Sequence, residues 1–441
     1  MSNDEKQQVY AFNLATAGHN FLISGQAGTG KTTLLVKLHD KLREIGKQVA
    51  VVCTTGIACA SLPSRCDART VHCWAGMDDG RYDTSYIKDI IINYKKDVYR
   101  NILSTDVLIL DEVSMLSKKL FEQLECICSL KCGHKLFGGM QLVFCGDFYQ
   151  LPPVKNRMYN DDGKFCFESE LFDQVFPHRI TLENVVRQSD SSFIKCVNEA
   201  AKGKLSESSV TLLESLKRPL CKDDNDEPIK LYATNEQVDN HNRLRILNKS
   251  GQLYEYKAID RGESHYLKKV LAPPTLWLKD GCPVILVRNI SSNLVNGLQG
   301  IVLSCKECPV VHFPTVDITT KLEKQIFSVF SPVLKKNVAE RTQVPLKLAY
   351  ALTVHKAQGM TLQRAEIDCH SMFAPGQLGV AIGRVKSPAG LRVINFKREI
   401  CLPQPPIIED AMKFCSAPDI DDCSCCRITR LVFIILLVIT F

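Results

Sequence analysis

The chain has 441 residues, of which 45% are hydrophobic and 23% are charged, and its formal net charge is +7. This composition excludes an intrinsically disordered protein, and the length allows two to four domains with sizeable cores. The mild positive charge is compatible with a polyanionic partner but does not require one. The 20 cysteines are scattered, and the start, MSNDEKQQVY, resembles neither a signal peptide nor a mitochondrial presequence, so we expect free thiols in a reducing compartment.

The first strong motif is a phosphate-binding loop. A short apolar run, NFLIS (20–24), precedes GQAGTGKT (25–32), and a helix-forming stretch, LLVKLHDKLREI, follows. Glycines let backbone N–H groups surround a phosphate, a lysine reaches the β- and γ-phosphates, and a threonine hydroxyl is a Mg²⁺ ligand in such loops. The sequence therefore predicts a nucleotide site formed by Gly25, Gln26, Ala27, Gly28, Thr29, Gly30, Lys31, Thr32 and Thr33.

A second apolar run, DVLIL (106–110), is typical of a strand buried on both faces, and it ends in Asp111 and Glu112. Carboxylates at the end of a parallel strand lie beside the phosphate loop. We therefore predict that Asp111 binds Mg²⁺ together with Thr32, and that Glu112 orients and deprotonates the attacking water. The alternative is an acidic cap between strand and helix. The pair favours hydrolysis over nucleotide storage.

A third strand, QLVFC (141–145), runs into GDFYQLPPV. Gln150 follows the strand end closely enough to touch a γ-phosphate or its attacking water. Two prolines, Pro152 and Pro153, prevent a helix from starting there. A glutamine in a loop is by itself only polar surface, so its assignment depends on the motifs around it.

In this order the motifs resemble those of the Pif helicases, the petite-integration-frequency family in the RecD-like branch of superfamily 1. The resemblance covers about residues 5 to 400. It places Gln8 where the family reads adenine and gives Gln150 a sensor role. TTGIACA (54–60) and TVHCWAG (70–76) match the motifs that grip single-stranded DNA, and FGGMQLVFCGDFYQLPPV (137–154) matches the family's signature run.

The second half continues the resemblance. LENVVRQ (182–188) places Arg187 where the family has an arginine finger, and GVAIGR (379–384) ends in Arg384, the second finger. LYATNEQVDNHN matches the motif between them, DGCPVILVRNISSNLVNGLQGIV resembles a small barrel, and ALTVHKAQGMTL matches the DNA-coupling motif. The chain departs from the family at Gly379, Ile382 and Gly383, which replace tyrosine, leucine and serine. We expect loss of the tyrosine to loosen the packing around Arg384.

The resemblance implies an α/β fold with two RecA-like parallel-sheet domains of the P-loop NTPase type, a small wedge insert and a β-barrel (SH3-like) insert. Apolar runs such as PVILV and GIVLS, separated by turn residues, also predict strands in the second insert. The expected domains are 1–183 with a wedge at about 63–100, then 184–255 with 346–405, the β-rich insert at 256–345, and a tail of unassigned role at 406–441.

The implied function is an ATP-dependent DNA helicase that moves 5′ to 3′ on single-stranded DNA and unwinds duplexes in DNA repair, recombination, replication or telomere maintenance. We expect a monomer that binds ATP, Mg²⁺ and single-stranded or forked DNA, with no membrane partner for its core. Its location would be the nucleus, with the mitochondrion as the alternative. The implied catalytic residues are Lys31, Glu112, Gln150, Arg187 and Arg384, and the implied DNA contacts are Thr55, Gly56, Thr70, His72, Thr353, His355 and Lys356.

Four other functions stay open at this point. They are a DNA-stimulated translocase that does not unwind, a replication helicase of a mobile element, a regulatory P-loop ATPase and a helicase-derived DNA-binding protein without turnover. The last two are disfavoured by the coupling motif and by the intact charged positions. Trp74 either stacks on a base or packs the first insert, whereas Phe148 and Tyr149 are expected in the core.

Two cysteine-containing segments are ambiguous. Cys305, Cys308 and His312 have partial zinc-ligand spacing without an evident fourth ligand, so thiols are favoured. Cys423, Cys425 and Cys426 precede LVFIILLVITF, whose 11 residues are too few to span a bilayer. A splice-derived tail or a last buried strand is favoured over an acylated membrane tether.

Overall fold

The computed structural model describes residues 3–220, 228–268, 270–291, 293–331, 334 and 336–412. The elements before residue 190 are α1 (Asn3–Ala17), β1 (Phe21–Gly25), α2 (Lys31–Glu44), β2 (Val49–Cys53), α3 (Gly56–Ser61), β3 (Arg69–Thr70), α4 (Val71–Trp74), α5 (Ile87–Tyr94), α6 (Lys96–Ser104), β4 (Val107–Asp111), α7 (Lys118–Cys128), β5 (Gln141–Gly146), α8 (Phe172–Val175) and β6 (His178–Leu182).

The later elements are α9 (Ser191–Lys202), α10 (Glu207–Ser215), β7 (Ile229–Tyr232), α11 (Asn235–Asn248), β8 (Tyr254–Lys257), β9 (Ile259–Gly262), α12 (Ser264–Leu267), β10 (Thr275–Leu278), β11 (Pro283–Leu286), β12 (Gln299–Ser304), β13 (Val310–Phe313), β14 (Ile318–Lys321), β15 (Gln325–Ser331), β16 (Lys336–Gln343), β17 (Leu346–Leu348), β18 (Ala351–Thr353), α13 (Val354–Ala357), β19 (Ala365–Asp368), α14 (Gln377–Ile382), β20 (Leu391–Ile394) and α15 (Pro406–Met412).

The described residues form two compact units. The first contains 3–54, 62–189 and 404–412, and the second contains 55–61 and 190–403. The short segment that carries α3 therefore belongs to the second unit, although it lies early in the sequence. No helix within the described ranges is long and apolar enough to cross a bilayer. The structure describes no residue after 412, so Cys423, Cys425, Cys426 and the apolar run that follows them lie outside the described residues.

The first unit is built on a six-stranded parallel sheet in the order β3-β2-β4-β5-β1-β6. All residues of β1, β4 and β5 are buried. Their continuous apolar runs are what a strand covered on both faces requires. The phosphate loop follows β1, and the acidic pair comes at the end of β4, so the shared strand direction brings both to one edge of the sheet.

Phenylalanines fill much of the first unit's core. Phe121 on α7 lies 5.7 Å from Phe172 between ring centroids, and Phe144 on β5 lies 4.8 Å from Phe176. All four side chains are buried. Aromatic pairs of this kind contribute about 0.5–1.5 kcal/mol each beyond the burial of their area. This packing holds α7 against β5 and so fixes the sheet edge where the acidic pair lies.

The second unit contains a four-stranded parallel sheet in the order β18-β7-β19-β20. Glu366 on β19 lies between two cations on the neighbouring strands. It forms ion pairs of 2.7 Å with both Lys230 and Arg392. Glu366 is paired in register with both cations, so the two ion pairs stabilise this alignment of β7, β19 and β20.

Antiparallel strands occupy the region between the two parts of this sheet. They form a five-stranded sheet in the order β14-β13-β12-β11-β17, a three-stranded sheet β15-β16-β9 and a pair β10-β8. An ion pair ties two of these strands, since the buried Arg341 donates to both carboxylate oxygens of the exposed Asp260 at 2.7 Å. The two parallel sheets and this insert confirm the predicted α/β class. The closed SH3-like barrel form stays a prediction, as does the wedge assignment.

Candidate active site

The phosphate loop joins β1 to α2 in a conformation that requires glycine. Gly28 has φ of 86° and Gly30, which precedes α2, has φ of 83°. A Cβ atom at Gly28 would also lie 2.7 Å from the Cβ of Arg187, too close for any side chain. The loop therefore keeps its backbone N–H groups accessible at the start of a 14-residue helix, where the helix dipole favours an anion.

Lys31 is the first residue of α2, and its side chain folds back over the loop. Its ammonium group donates to the carbonyl oxygens of Gly25 at 2.7 Å and Gln26 at 2.8 Å. Both acceptors are backbone oxygens of the loop itself. The lysine is thus already directed toward the space that the loop encloses.

Thr32 and Asp111 form a hydroxyl–carboxylate pair beside the loop. The Thr32 hydroxyl donates to Asp111 Oδ2 at 2.9 Å, and the second carboxylate oxygen accepts from the backbone N–H of Glu112 at 2.8 Å. Burial raises the pKa of Asp111, and the neighbouring charge of Glu112 raises it further. A buried carboxylate held next to a hydroxyl is a suitable oxygen donor set for Mg²⁺ with nucleotide phosphates. The residues present therefore fit this ion.

Glu112 has an unusual backbone. Its φ is 60° and its ψ is 42°, the left-handed region that costs a non-glycine residue about 1–2 kcal/mol. Its carbonyl oxygen accepts from the Thr54 hydroxyl at 2.9 Å and from the Met115 N–H at 3.2 Å. Thr54 and Met115 therefore hold the backbone of Glu112 in this conformation, and the backbone in turn sets the direction of the carboxylate predicted to activate water.

Gln150 lies at the end of the loop after β5 and is 5% exposed. Its side-chain nitrogen donates to Asp147 Oδ2 at 3.2 Å, while its carbonyl oxygen has no hydrogen-bond partner among the described residues. Burial raises the pKa of Asp147, and the positive charge of Lys31 opposes that effect. A buried amide oxygen without a partner is expensive, and it is suited to accept from a bound water or ligand.

Arg187 belongs to the first unit, with the phosphate loop. Both Val186 and Arg187 donate their backbone N–H groups to the carbonyl of Gly28, at 2.8 and 3.2 Å. The sequence placed the start of the second domain at 184, and these hydrogen bonds explain why the compact unit extends to 189. Burial lowers the pKa of Arg187, whereas the charge of Glu112 raises it.

Arg384 lies in the second unit, just after α14, and is 1% exposed. Its Nε donates to the carbonyl of Val380 at 3.0 Å, and a terminal nitrogen donates to that of Met360 at 3.5 Å. The expectation of loose packing here was wrong. A Cβ atom at Gly379 would lie 2.5 Å from the backbone nitrogen of Ala201, because α14 packs directly on α9. The space that a tyrosine would need is filled by helix backbone.

Five of the predicted DNA contacts fall in the second unit. Thr353 caps α13 by accepting from the Lys356 N–H at 3.3 Å, and the His355 ring stacks on Phe373 with centroids 6.3 Å apart. Burial lowers the pKa of His355. Burial also lowers the pKa of Lys356 to about 8, with a further decrease from the charge of Lys347. A cation with a depressed pKa gains from an anionic partner.

Thr55 and Gly56 begin α3, in the same unit as α13. The Thr55 hydroxyl accepts from the Ala58 N–H at 3.2 Å. A Cβ atom at Gly56 would lie 2.2 Å from the carbonyl oxygen of Asn296, so only glycine fits against that loop. A Cβ atom at Gly359, after α13, would lie 4.0 Å from the Cβ of Ala58, which is ordinary van der Waals contact. The structure therefore brings these two DNA motifs together.

The remaining predicted positions lie in the first unit. Thr70 caps α4 by accepting from the Cys73 N–H at 3.3 Å, His72 is half-buried on that helix, and Gln8 is half-buried on α1. Trp74 is 5% exposed and belongs to the hydrophobic core, which supports the packing interpretation. Phe148 is likewise in the core, as predicted, and Tyr149 packs against it.

The possible zinc ligands do not form a metal site. Cys305 is buried in the core of the insert, and the His312 ring shares a hydrogen bond of 3.0 Å with the Thr319 hydroxyl. Within the described ranges, no group of three histidine, cysteine or acidic side chains could hold a metal ion. A magnesium ion of the phosphate-loop type takes only one or two protein ligands, because the nucleotide phosphates and water supply the rest.

Sequence reasoning overlooked two residues that the structure places at this site. Asp147 accepts a hydrogen bond from the side chain of Gln150, and its signal was an acidic residue directly after the end of a buried strand. Thr54 binds the carbonyl of Glu112, and nothing in the local sequence indicates a partner 58 residues away.

Comparison with known proteins gives a consistent result. Residues 2–211 match the family described as PIF1-like helicase, and residues 267–304 match the description DNA helicase Pif1, 2B domain. The chain is 32% identical to the ATP-dependent DNA helicase PIF1 of Emericella nidulans, covering 91% of this chain and 62% of that protein. It thus spans about three fifths of the length of that relative.

Two crystal structures cover nearly the whole chain. The Pif1 helicase from Candida albicans matches with a TM-score of 0.81 and 32% identity, over 93% of this chain and 98% of that one. The Pif1 helicase from Bacteroides in complex with ADP-AlF3 and ssDNA matches with a TM-score of 0.78 and 25% identity, over 93% and 96%.

Proposed function

The chain belongs to the PIF1-like helicase family, and from that membership we propose that it is an ATP-dependent DNA helicase. It would couple ATP hydrolysis to 5′-to-3′ movement on single-stranded DNA and to separation of duplex strands. One observation carries the proposal. In a single compact unit, the phosphate loop is hydrogen-bonded to Asp111 through Thr32 and to the backbone of Arg187, and the strained Glu112 directly follows Asp111.

The nucleotide would be bound by the loop from Gly25 to Thr33, with Gln8 reading the adenine. Lys31 would exchange its two loop carbonyl partners for β- and γ-phosphate oxygens. Thr32 and Asp111 would hold Mg²⁺, with Asp111 acting through water. When bound, this ion supplies positive charge that offsets the charge of the phosphates.

Hydrolysis would depend on side chains at the edge of the parallel sheet. Glu112 takes the proton of the attacking water, and the amide oxygen of Gln150, which has no partner in the part of the chain that the structure describes, orients that water. Arg187 offsets the charge that spreads over the γ-phosphate oxygens. Arg384 is proposed for the same role, and its guanidinium would have to leave the carbonyls of Val380 and Met360 to perform it.

The DNA strand would lie along Thr55, Gly56, Thr70, His72, Thr353, His355 and Lys356. These side chains suit phosphate and sugar contacts, which a motor needs because it must tolerate any sequence. The Pif1 helicase from Bacteroides was crystallised in complex with ssDNA, and another solved relative is described in terms of DNA unwinding at forked dsDNA, so we propose single-stranded and forked DNA as partners. Genome maintenance in the nucleus is the proposed setting, with the chain acting as a monomer.

The proposal is tested by strand separation on duplexes that carry a 5′ tail, a 3′ tail or no tail. We expect ATP-dependent separation of the 5′-tailed duplex alone. Lys31→Ala should abolish it, and Lys37→Ala, at an exposed position on the same helix, should leave it unchanged. Separation of only the 3′-tailed duplex would contradict the polarity. ATP turnover on DNA without strand separation would favour a translocase.

A further inference from the structure

Thr54 lies between residues proposed for ATP hydrolysis and residues proposed for DNA binding. It follows β2 directly and precedes Thr55, the first residue proposed to contact DNA. Its backbone N–H donates to the carbonyl of Asp111 at 3.3 Å, and its hydroxyl donates to the carbonyl of Glu112 at 2.9 Å. The end of β2 is therefore tied to both residues of the acidic pair.

The bond to Glu112 matters because that residue is strained. A left-handed backbone at a non-glycine residue persists only where neighbouring groups hold it. The Thr54 hydroxyl donates to the Glu112 carbonyl, and so does the N–H of Met115, which is part of the short turn that follows. The Thr54 side chain reaches this peptide from the end of the neighbouring strand β2. Its loss would let the peptide rotate toward a relaxed conformation and move the carboxylate.

We propose that Thr54 is a positioning residue for hydrolysis, which holds Glu112 in place and links that placement to the DNA-binding segment. The proposal rests on the proposed helicase function. Thr54 contacts neither nucleotide nor water in this role. It acts through the Glu112 peptide, and the adjacent residue, Thr55, is the route by which bound DNA would tighten or release that hydrogen bond.

The test compares Thr54→Val with Thr54→Ser in the full chain. Valine keeps the shape of threonine but cannot donate, whereas serine keeps the hydroxyl. We expect the valine variant to lower kcat for ATP at saturating single-stranded DNA about tenfold, the effect of one lost hydrogen bond. Its KM for ATP and its Kd for the DNA should stay within about twofold of wild type, since no ligand contact is removed. The serine variant should recover most of the rate.

A double-mutant cycle separates positioning from a general structural effect. If Thr54 acts through Glu112, Thr54→Val should add little to the defect of Glu112→Gln in single-turnover hydrolysis. Full additivity of the two defects would overturn the proposal. So would a valine variant that weakens DNA binding while kcat at saturation is unchanged. Wild-type turnover that ignores DNA would instead refute the helicase function itself, so the two failures are distinguishable.

Discussion

Replacing Lys356 with arginine should remove a pH dependence from the binding of single-stranded DNA. Lys356 lies on α13, in the segment proposed to contact the strand. Burial and the charge of Lys347 lower its pKa to about 8, against a smaller opposing effect of Asp239. Contact with a phosphate would stabilise the charged form and raise the pKa again, so binding should take up a proton.

The magnitude follows from that pKa. With a value of about 8 in the free protein, about 90% of Lys356 is charged at pH 7 and about 10% at pH 9. If only the charged form binds, the affinity for DNA falls about tenfold between these two pH values. The stability of the free protein changes in the opposite sense. The cost of burying the charge is present below pH 8 and is relieved as the pH rises toward the unfolded value of about 10.4.

The assay is fluorescence anisotropy with labelled oligo-dT at fixed ionic strength, from pH 7 to pH 9. Arginine stays charged over this range, so the Lys356→Arg variant should show a flat profile apart from other groups that titrate. Lys347→Arg is the matched control and should keep the wild-type slope. Equal slopes for wild type and Lys356→Arg would refute the assignment of Lys356 to the DNA contact.

Three further predictions concern packing and charge. Gly379→Ala should lower the urea midpoint, at a cost of about 1–3 kcal/mol, because its Cβ would lie 2.5 Å from Ala201; Gly133→Ala, with nothing within 4 Å, should not. Glu366→Gln should destabilise by about 1–2 kcal/mol at pH 7, since it breaks two ion pairs. Burial raises the pKa of Glu366, but the two cations together lower it below the usual value of 4.5, so the difference in thermal unfolding from wild type should shrink as the pH falls below about 4.5; a constant difference would contradict this prediction. Trp74→Ala should cost about 3–5 kcal/mol, whereas Trp74→Phe should leave the Kd for DNA within about twofold, and a large loss of affinity would restore the base-stacking interpretation.

The sequence predicted the features that depend on local chemistry. The phosphate loop was recognisable because its glycines, Lys31 and Thr32 each have a known role in phosphate or Mg²⁺ binding that fixes their spacing. The buried strands were recognisable because a strand covered on both faces is apolar throughout. Asp111 and Glu112 could then be placed beside the loop, since parallel strands end at the same edge of a sheet.

Features that depend on contacts between residues far apart in the sequence could not be predicted. The backbone of Glu112 is held by Thr54, and no periodicity or motif reveals that partner. The close contact of Gly379 with Ala201 depends on how α14 packs on α9. The replacement of the family's tyrosine by Gly379 therefore suggested looser packing from the sequence, whereas the structure shows helix backbone packed against the glycine. Trp74 was undecided because the same residue type serves both a core and a stacking surface.

The rate of ATP hydrolysis with and without single-stranded DNA tests the central claim most directly. Wild type and Lys31→Ala would be compared at saturating ATP and Mg²⁺, with Lys37→Ala as the control. A DNA-driven helicase predicts a rate that rises strongly with DNA in wild type and in the control, and that is lost in Lys31→Ala. A wild-type rate that is the same with and without DNA would contradict the account.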